Sequence, residues 1–170
     1  MTPGLERVSA IFNPETVPHG AQFLRWSKSV AMSLGIDLTA VPVGDEAEIA
    51  AAIAALAREP AGALMVVPDP FNGVHKGRIV ALAGEHRVPA IYPSRSYAMA
   101  GGLLSYGVEL AYVYRQAAGY VDRILRGARP GDLPVQAPSK FELVVNLKAA
   151  KLQAVEVPPT LLAIADEVIE

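Results

Sequence analysis

Cysteine is missing from this 170-residue chain. That absence excludes a disulfide framework, thiolate zinc sites, iron–sulfur clusters and a cysteine nucleophile. A basic excess is missing as well: 15 Lys and Arg against 17 Asp and Glu leave a formal net charge of −2. With no surplus of cations to displace counterions from a phosphate backbone, nucleic acid is not an expected partner. No run approaches the ~18 apolar residues of a membrane-spanning helix. The continuous apolar stretch between Gly62 and Pro68 has the length of a strand. The opening Met1-Thr-Pro-Gly-Leu-Glu-Arg lacks the positive end and apolar run of a secretory signal. His19, His75 and His86 are scattered, with no pair at the spacing that puts two imidazoles on one helix face. Neither a glycine-rich phosphate loop nor a Gly-x-Ser-x-Gly elbow occurs. Neither a metal nor a cofactor is expected.

Apolar material is plentiful: 52% of the residues are hydrophobic and 19% charged, with mean hydropathy +0.29, so the chain can bury a core. Apolar runs predict strands at 8–12, 36–43, 63–67, 89–92 and 103–106. Between them lie helical patterns: one capped by Thr16 with a Phe23, Trp26, Val30, Leu34 stripe, ended by Gly35, and one opened by Asp45 and Glu48 and reaching about Arg58. Further helices are predicted at 71–86, 94–100 and 109–126. An extended piece at 133–135, an alternating strand at 141–146 and a terminal helix near 160–168 complete the pattern. Strand and helix alternating over short connections predict an α/β fold, a doubly wound, mainly parallel sheet flanked by helices.

Ligands of such sheets sit outside the carboxyl ends of the strands. Those ends carry Asn13, Glu15, Asp69, Phe71, Tyr92, Arg95 and Tyr106. The mixture suits a small zwitterion or acid with an apolar body: Arg95 to fork a carboxylate, Asp69 or Glu15 to meet an amine, rings to clasp the rest. Taken singly, Asn13, Thr16 and Asp69 also read as turn and cap residues, and the tyrosines as packing residues. Asp69 acting with His75 or Arg95 would make an isomerase or hydrolase, and ranks last. The helix at 109–126 presents a wide apolar stripe from Leu110 to Leu125. The chain's own sheet, a partner lobe or a second copy in a homodimer would cover it.

Eight motifs in order then carry a resemblance: Phe12-Asn-Pro-Glu, Val67-Pro-Asp-Pro-Phe, Pro89-Ala-Ile-Tyr-Pro-Ser-Arg, Gly101-Gly-Leu-Leu-Ser-Tyr-Gly, Tyr120-Val-Asp-Arg-Ile-Leu-Arg-Gly, Asp132-Leu-Pro-Val-Gln, Lys140-Phe-Glu-Leu-Val-Val-Asn-Leu-Lys and the stretch from Pro158-Pro to Glu170. From about Val8 to Glu170 the chain resembles the bacterial substrate-binding proteins of ABC transporters, in a branch related to tryptophan/tyrosine-type binding components. The resemblance implies a type I periplasmic binding fold of two α/β lobes closing on a solute, a membrane permease as partner, a periplasmic location and no catalysis. It implies that residues 1–107 and 128–170 form the second lobe and that 108–127 is a crossover helix packing on the first, most of which this chain lacks. It also places the solute's amine on Asp69, and its carboxylate mainly on the first lobe. One departure is Gln153-Ala154, where relatives carry Leu-Gly, which puts the turn there in question.

Overall fold

A computed structural model describes residues 4–170. The chain runs through β1 (Arg7–Phe12), α1 (Gly20–Ser33), β2 (Asp37–Pro42), α2 (Glu46–Leu56), β3 (Gly62–Val66), α3 (Pro70–Val74), α4 (Lys76–Glu85), β4 (Ala90–Tyr92), α5 (Arg95–Met99) and β5 (Leu104–Val108). It leaves the sheet as α6 (Leu110–Leu125) and a 3-10 turn at Pro130–Asp132. It returns through β6 (Phe141–Asn146), α7 (Leu147–Gln153), α8 (Pro159–Ala163) and β7 (Glu167–Ile169). Among these residues one sheet forms in the order β2-β1-β3-β4-β5-β6-β7. All neighbouring strands are parallel except β5 and β6, whose antiparallel register runs from Leu104 opposite Val145 to Val108 opposite Phe141. The predicted α/β class is the class observed.

The strand order decides which face each helix covers. The step from β1 to β2 goes one way along the sheet and the later steps go the other, so right-handed crossovers put α1 on one face and α2, α4 and α5 on the opposite one. On the second face Ile11, Leu64, Val66 and Tyr92 pack against Ile49, Ile53, Ile79 and Tyr97. Burying an isoleucine such as Ile49 or Ile53 there contributes about 1.5–3 kcal/mol. The first face is covered in two separate places. Ala10, Phe12, Leu38 and Val67 meet Leu24 of α1 at one end; Leu104, Leu143 and Val145 meet Ala149, Ala150, Leu161 and Leu162 at the other. Between them lie Met65 and Ile91, register partners on β3 and β4, each only partly buried.

Several element ends follow their expected chemistry. The Asp45 side chain accepts from the Glu48 amide at 2.8 Å, satisfying an orphan donor of α2, and the Glu48 carboxylate reaches back to accept from the Gly44 amide at 2.6 Å, just before the cap. Gly35, at φ 71°, closes α1.

Other expectations are corrected. Helix α1 starts at Gly20 and not after Thr16, because Asn13 Oδ1 accepts from the Glu15 and Thr16 amides and holds that stretch as a turn. Its Phe23, Trp26, Val30, Leu34 stripe is exposed; Leu24 and Ala31 make the contact with the sheet. The helix expected at 71–86 breaks at His75, whose backbone (φ −88°, ψ 11°) ends α3 and opens α4. The piece at 133–135 is as expected: Leu133 is extended and the stretch pairs with no strand, the chain running back along α6, where Tyr120 donates to the Pro134 carbonyl at 2.6 Å. The terminal helix stops at Ala163, and Glu-Val-Ile pairs with β6 as β7. Helix α7, capped by Asn146 Oδ1 on the Ala149 amide, lies in a stretch where no helix was expected.

Candidate functional site

The carboxyl ends of β1, β3, β4 and β5 meet along one rim, and Asp69 is its best-anchored residue. As cap of α3 it accepts from the Phe71 amide at 2.8 Å through Oδ1. The same oxygen accepts from the Thr16 hydroxyl at 2.6 Å, while Oδ2 accepts from the Asn13 amide at 2.6 Å. The side chain is 8% exposed, and no cation lies within ion-pair distance of it among the described residues. Three donors therefore hold a buried carboxylate in place without neutralising it.

From Asp69 a groove of about 690 Å³ runs across the rim and onto the sparsely covered face. Asp69 and Pro68 mark one end, Ser94, Ser96 and Tyr97 the strand-end margin, Met65 and Ile91 the floor, and Phe23, Tyr106, Val108, Leu110 and Phe141 the walls. Asp69 is the sole charged residue of that lining. The Tyr106 and Phe141 rings stack at 5.8 Å between centroids, tilted by 18°. Tyr92 is buried beneath the rim and stacks on Tyr97 at 5.2 Å. Burial, with Tyr97 beside it, pushes the Tyr92 phenol far above its ordinary range. Burial and then the Asp69 charge raise Tyr97 to about 12. Both phenols are neutral at physiological pH.

Of the seven residues expected here, Asp69, Tyr92 and Tyr106 line the groove. Asn13 and Phe71 lie behind it and hold Asp69 by their backbone amides. Glu15 is exposed in the turn after β1 and is not part of the lining. Arg95 is turned outward and bidentate on Glu167, Nε at 2.6 Å and the second nitrogen at 2.8 Å. That pair gives Arg95 a local structural task in place of the expected carboxylate fork. His75 faces Glu46 at 3.2 Å and packs against the Phe71 ring at a tilt of 50°; its partner is not Asp69. Among the described residues no group of three or more His, Asp or Glu gathers where it would hold a metal ion. The apolar lining (Phe23, Met65, Ile91, Val108, Phe141) was not anticipated. Its signal was the period-2 alternation of β3 and β4, which puts Met65 and Ile91 on the face opposite Leu64 and Tyr92.

A second groove, about 530 Å³, lies between α6 and residues 136–139 and carries no strand-end side chain. Helix α6 buries none of its residues and leaves Tyr114 and Leu125 71% and 82% exposed. Its root is clamped: Glu109 accepts from Arg115 at 2.9 Å and Lys140 at 2.6 Å, and these cations hold its carboxyl below the ordinary range.

Comparison with known proteins places this geometry. The family described as ABC transporter substrate binding protein matches residues 1–169. No curated protein matches the chain. Among solved structures, a conserved domain protein from Vibrio cholerae is 24% identical with TM-score 0.86, the match covering 98% of this chain and 55% of that one. An ABC domain in complex with L-Trp from Streptococcus pneumoniae is 21% identical with TM-score 0.86, covering 99% and 58%. A ligand-free, open substrate binding protein with adhesive properties from Clostridium difficile is 19% identical with TM-score 0.72, covering 99% and 56%. The chain thus spans little more than half the length of these structures and shares their fold over nearly all of its own. It belongs to the ABC transporter substrate-binding proteins.

Proposed function

We propose that this chain forms the second lobe of a solute receptor for an ABC-type uptake system, non-catalytic, extracytoplasmic and specific for a small amino-acid-like or carboxylate solute. The observation that carries the reading is Asp69: a buried carboxylate at the strand ends, fixed by three donors, facing a groove and lacking a cation among the described residues. An ammonium group of the solute would supply that cation. Residues 1–107 and 128–170 then make the lobe, and 108–127 the helix that packs on the first lobe. The bare apolar face of α6 supports that assignment, and the stretch returning along α6 to Lys140 would travel with it. Among the described residues no basic one lines the groove, so the solute's carboxylate falls to the other lobe. Closure of the two lobes on the solute would be the signal presented to the permease. Acid–base catalysis by Asp69 and His75 has no geometric support, since each is engaged by other groups.

L-Trp, bound in one structural neighbour, is the first probe. Calorimetric or NMR titration of the chain and of Asp69→Asn should show amino-acid affinity falling about tenfold or more in the variant, as loss of a charge-assisted contact requires. Equal affinity in the folded variant removes Asp69 from the site.

A further inference from the structure

One face of the sheet is a helix short, and α6 is a helix without a seat. We propose that two copies of this chain exchange α6, each laying it in the gap of the other. The inference goes beyond the receptor reading and does not depend on it. Among the described residues α1 covers β2 and β1 on that face, and α7 with α8 covers β5 and β6. Between them β3 and β4 form a strip on which Met65 and Ile91 stay only partly buried. Two strands spaced by ~4.8 Å make that strip about 10 Å wide, the diameter of one helix. Its α1 wall is apolar. Phe23 borders the same groove as Met65 and Ile91, and Trp26, Val30 and Leu34 follow at helical spacing on the same side. Trp26 and Leu34 are 66% and 69% exposed. A contiguous row of large apolar side chains beside a bare strip marks an interaction surface, whereas scattered ones do not.

Helix α6 supplies the complement. Leu110, Tyr114, Val121 and Leu125 lie in one line along it, all more than half exposed, with the small Ala117 and Ala118 between them. Such a seam packs lengthwise on a neighbouring helix, and its small central residues allow close approach. The 16 residues of α6 and the 14 of α1 span about 24 and 21 Å, so the seam matches the wall in length. Its own strip is denied to α6. Glu109, paired with Arg115 and Lys140, and Tyr120, bound to the Pro134 carbonyl, hold the helix off the sheet. Yet α6 is rooted at the mouth of the strip, where Val108 and Leu110 border the groove together with Phe23. Two copies set mouth to mouth about a two-fold axis can therefore each enter the other's strip, α6 running parallel to the partner's α1. The contact is isologous and closes at two copies. Large side chains about half exposed offer roughly 100 Å² each, so the two exchanged helices bury on the order of 1,500 Å², within the ~1,200–2,000 Å² of stable interfaces. A second copy thereby takes the place of the lobe that α6 otherwise meets.

Sedimentation equilibrium of the 170-residue chain tests this. The mass should rise with concentration toward twice the 18.0 kDa of one chain. Trp26→Glu on the strip wall and Leu125→Lys on α6, both at exposed positions of the single copy, should each weaken association about tenfold or more with the circular dichroism unchanged. Mixed in equal amounts, the two variants should associate again. In the mixed pair one contact carries neither substitution, and the other sets opposite charges against each other. A monomer at every concentration overturns the proposal and leaves strip and seam to another lobe. So does a dimer that Leu125→Lys breaks and Trp26→Glu does not, since α6 would then pair with α6. A dimer that both variants leave intact, or a mixture that associates no better than its components, overturns it equally. None of these outcomes bears on the L-Trp affinity of Asp69→Asn, so the receptor reading stands or falls by its own titration.

Discussion

Asp69 ties the turn after β1 to the start of α3, two segments far apart in the chain, at one end of the groove. Its removal is therefore a structural as well as a binding lesion. Asp69→Ala should lower stability by about 2–4 kcal/mol, because two amides and a hydroxyl lose a charged acceptor; denaturant unfolding measures it. A different residue-scale lesion is already present in the chain. Ala154 closes α7 in the left-handed region at φ 55°, and the preceding Gln153 is buried with its Oε1 unpaired. The turn is thus formed by a residue poorly suited to it. Ala154→Gly should stabilise the fold by about 0.5–1 kcal/mol, and Gln153→Leu should add to it by removing an unsatisfied acceptor. A lower denaturation midpoint for the double variant would refute this account of the turn.

Among the elements, β5 depends on contact with a loop it does not belong to. A Cβ on Gly107 would stand 1.9 Å from the Pro93 carbonyl oxygen, so only glycine lets β5 pass the loop after β4. Gly107→Ala should cost about 2 kcal/mol or more, in the range of overpacking strain, and should shift the Ser94 and Ser96 amides at the groove margin. On the facing strand, Glu142 lies above the usual glutamate range through burial, with Glu109, Asp166 and Glu167 adding repulsion against the opposing pull of Arg95. A carboxyl raised in the folded state contributes stability below its unfolded value of about 4.3 and loses it as pH rises through the raised value. Glu142→Gln should accordingly raise the melting temperature at neutral pH and change little in acid. Glu109 and Glu167, held low by Lys140 and Arg95, act in the opposite sense: their contribution is present above the ordinary range and fades as pH falls through the lowered values. Much of this scaffold was legible beforehand where the decisive group is local, as with Asp45 and Glu48, Asp69 before Pro70, or Gly35. The break at His75 was not, because Glu46, 29 positions away, holds its ring. Nor was β7: Glu-Val-Ile continues a helical pattern as well as an extended one, and β6 decides between them. Strand ends pointed to the rim, but the groove floor is defined by helices that fail to cover Met65 and Ile91, and no motif marks a missing neighbour.

At the scale of the whole molecule, the chain is a covered sheet with one projecting limb. Tyr114→Lys and Leu125→Lys on α6 should leave the unfolding free energy within about 0.5 kcal/mol, as exposed positions do, provided that this face meets nothing in the isolated chain. Sedimentation of the wild type and these variants decides whether a homodimer through residues 109–126 exists. A concentration-dependent mass that the lysines abolish would establish it, and a monomer throughout would leave the face to another lobe. The limb has another property, set by where it is rooted. The chain departs after Val108 and comes back at Phe141, and these two residues face each other across one antiparallel pair. Strands so paired lie about 4.8 Å apart, a gap that a two-residue hairpin turn closes. Topologically, residues 109–140 are a cassette spliced into a hairpin: a short loop could take their place with the sheet order untouched, and a foreign helical arm of any length could be carried from the same two points.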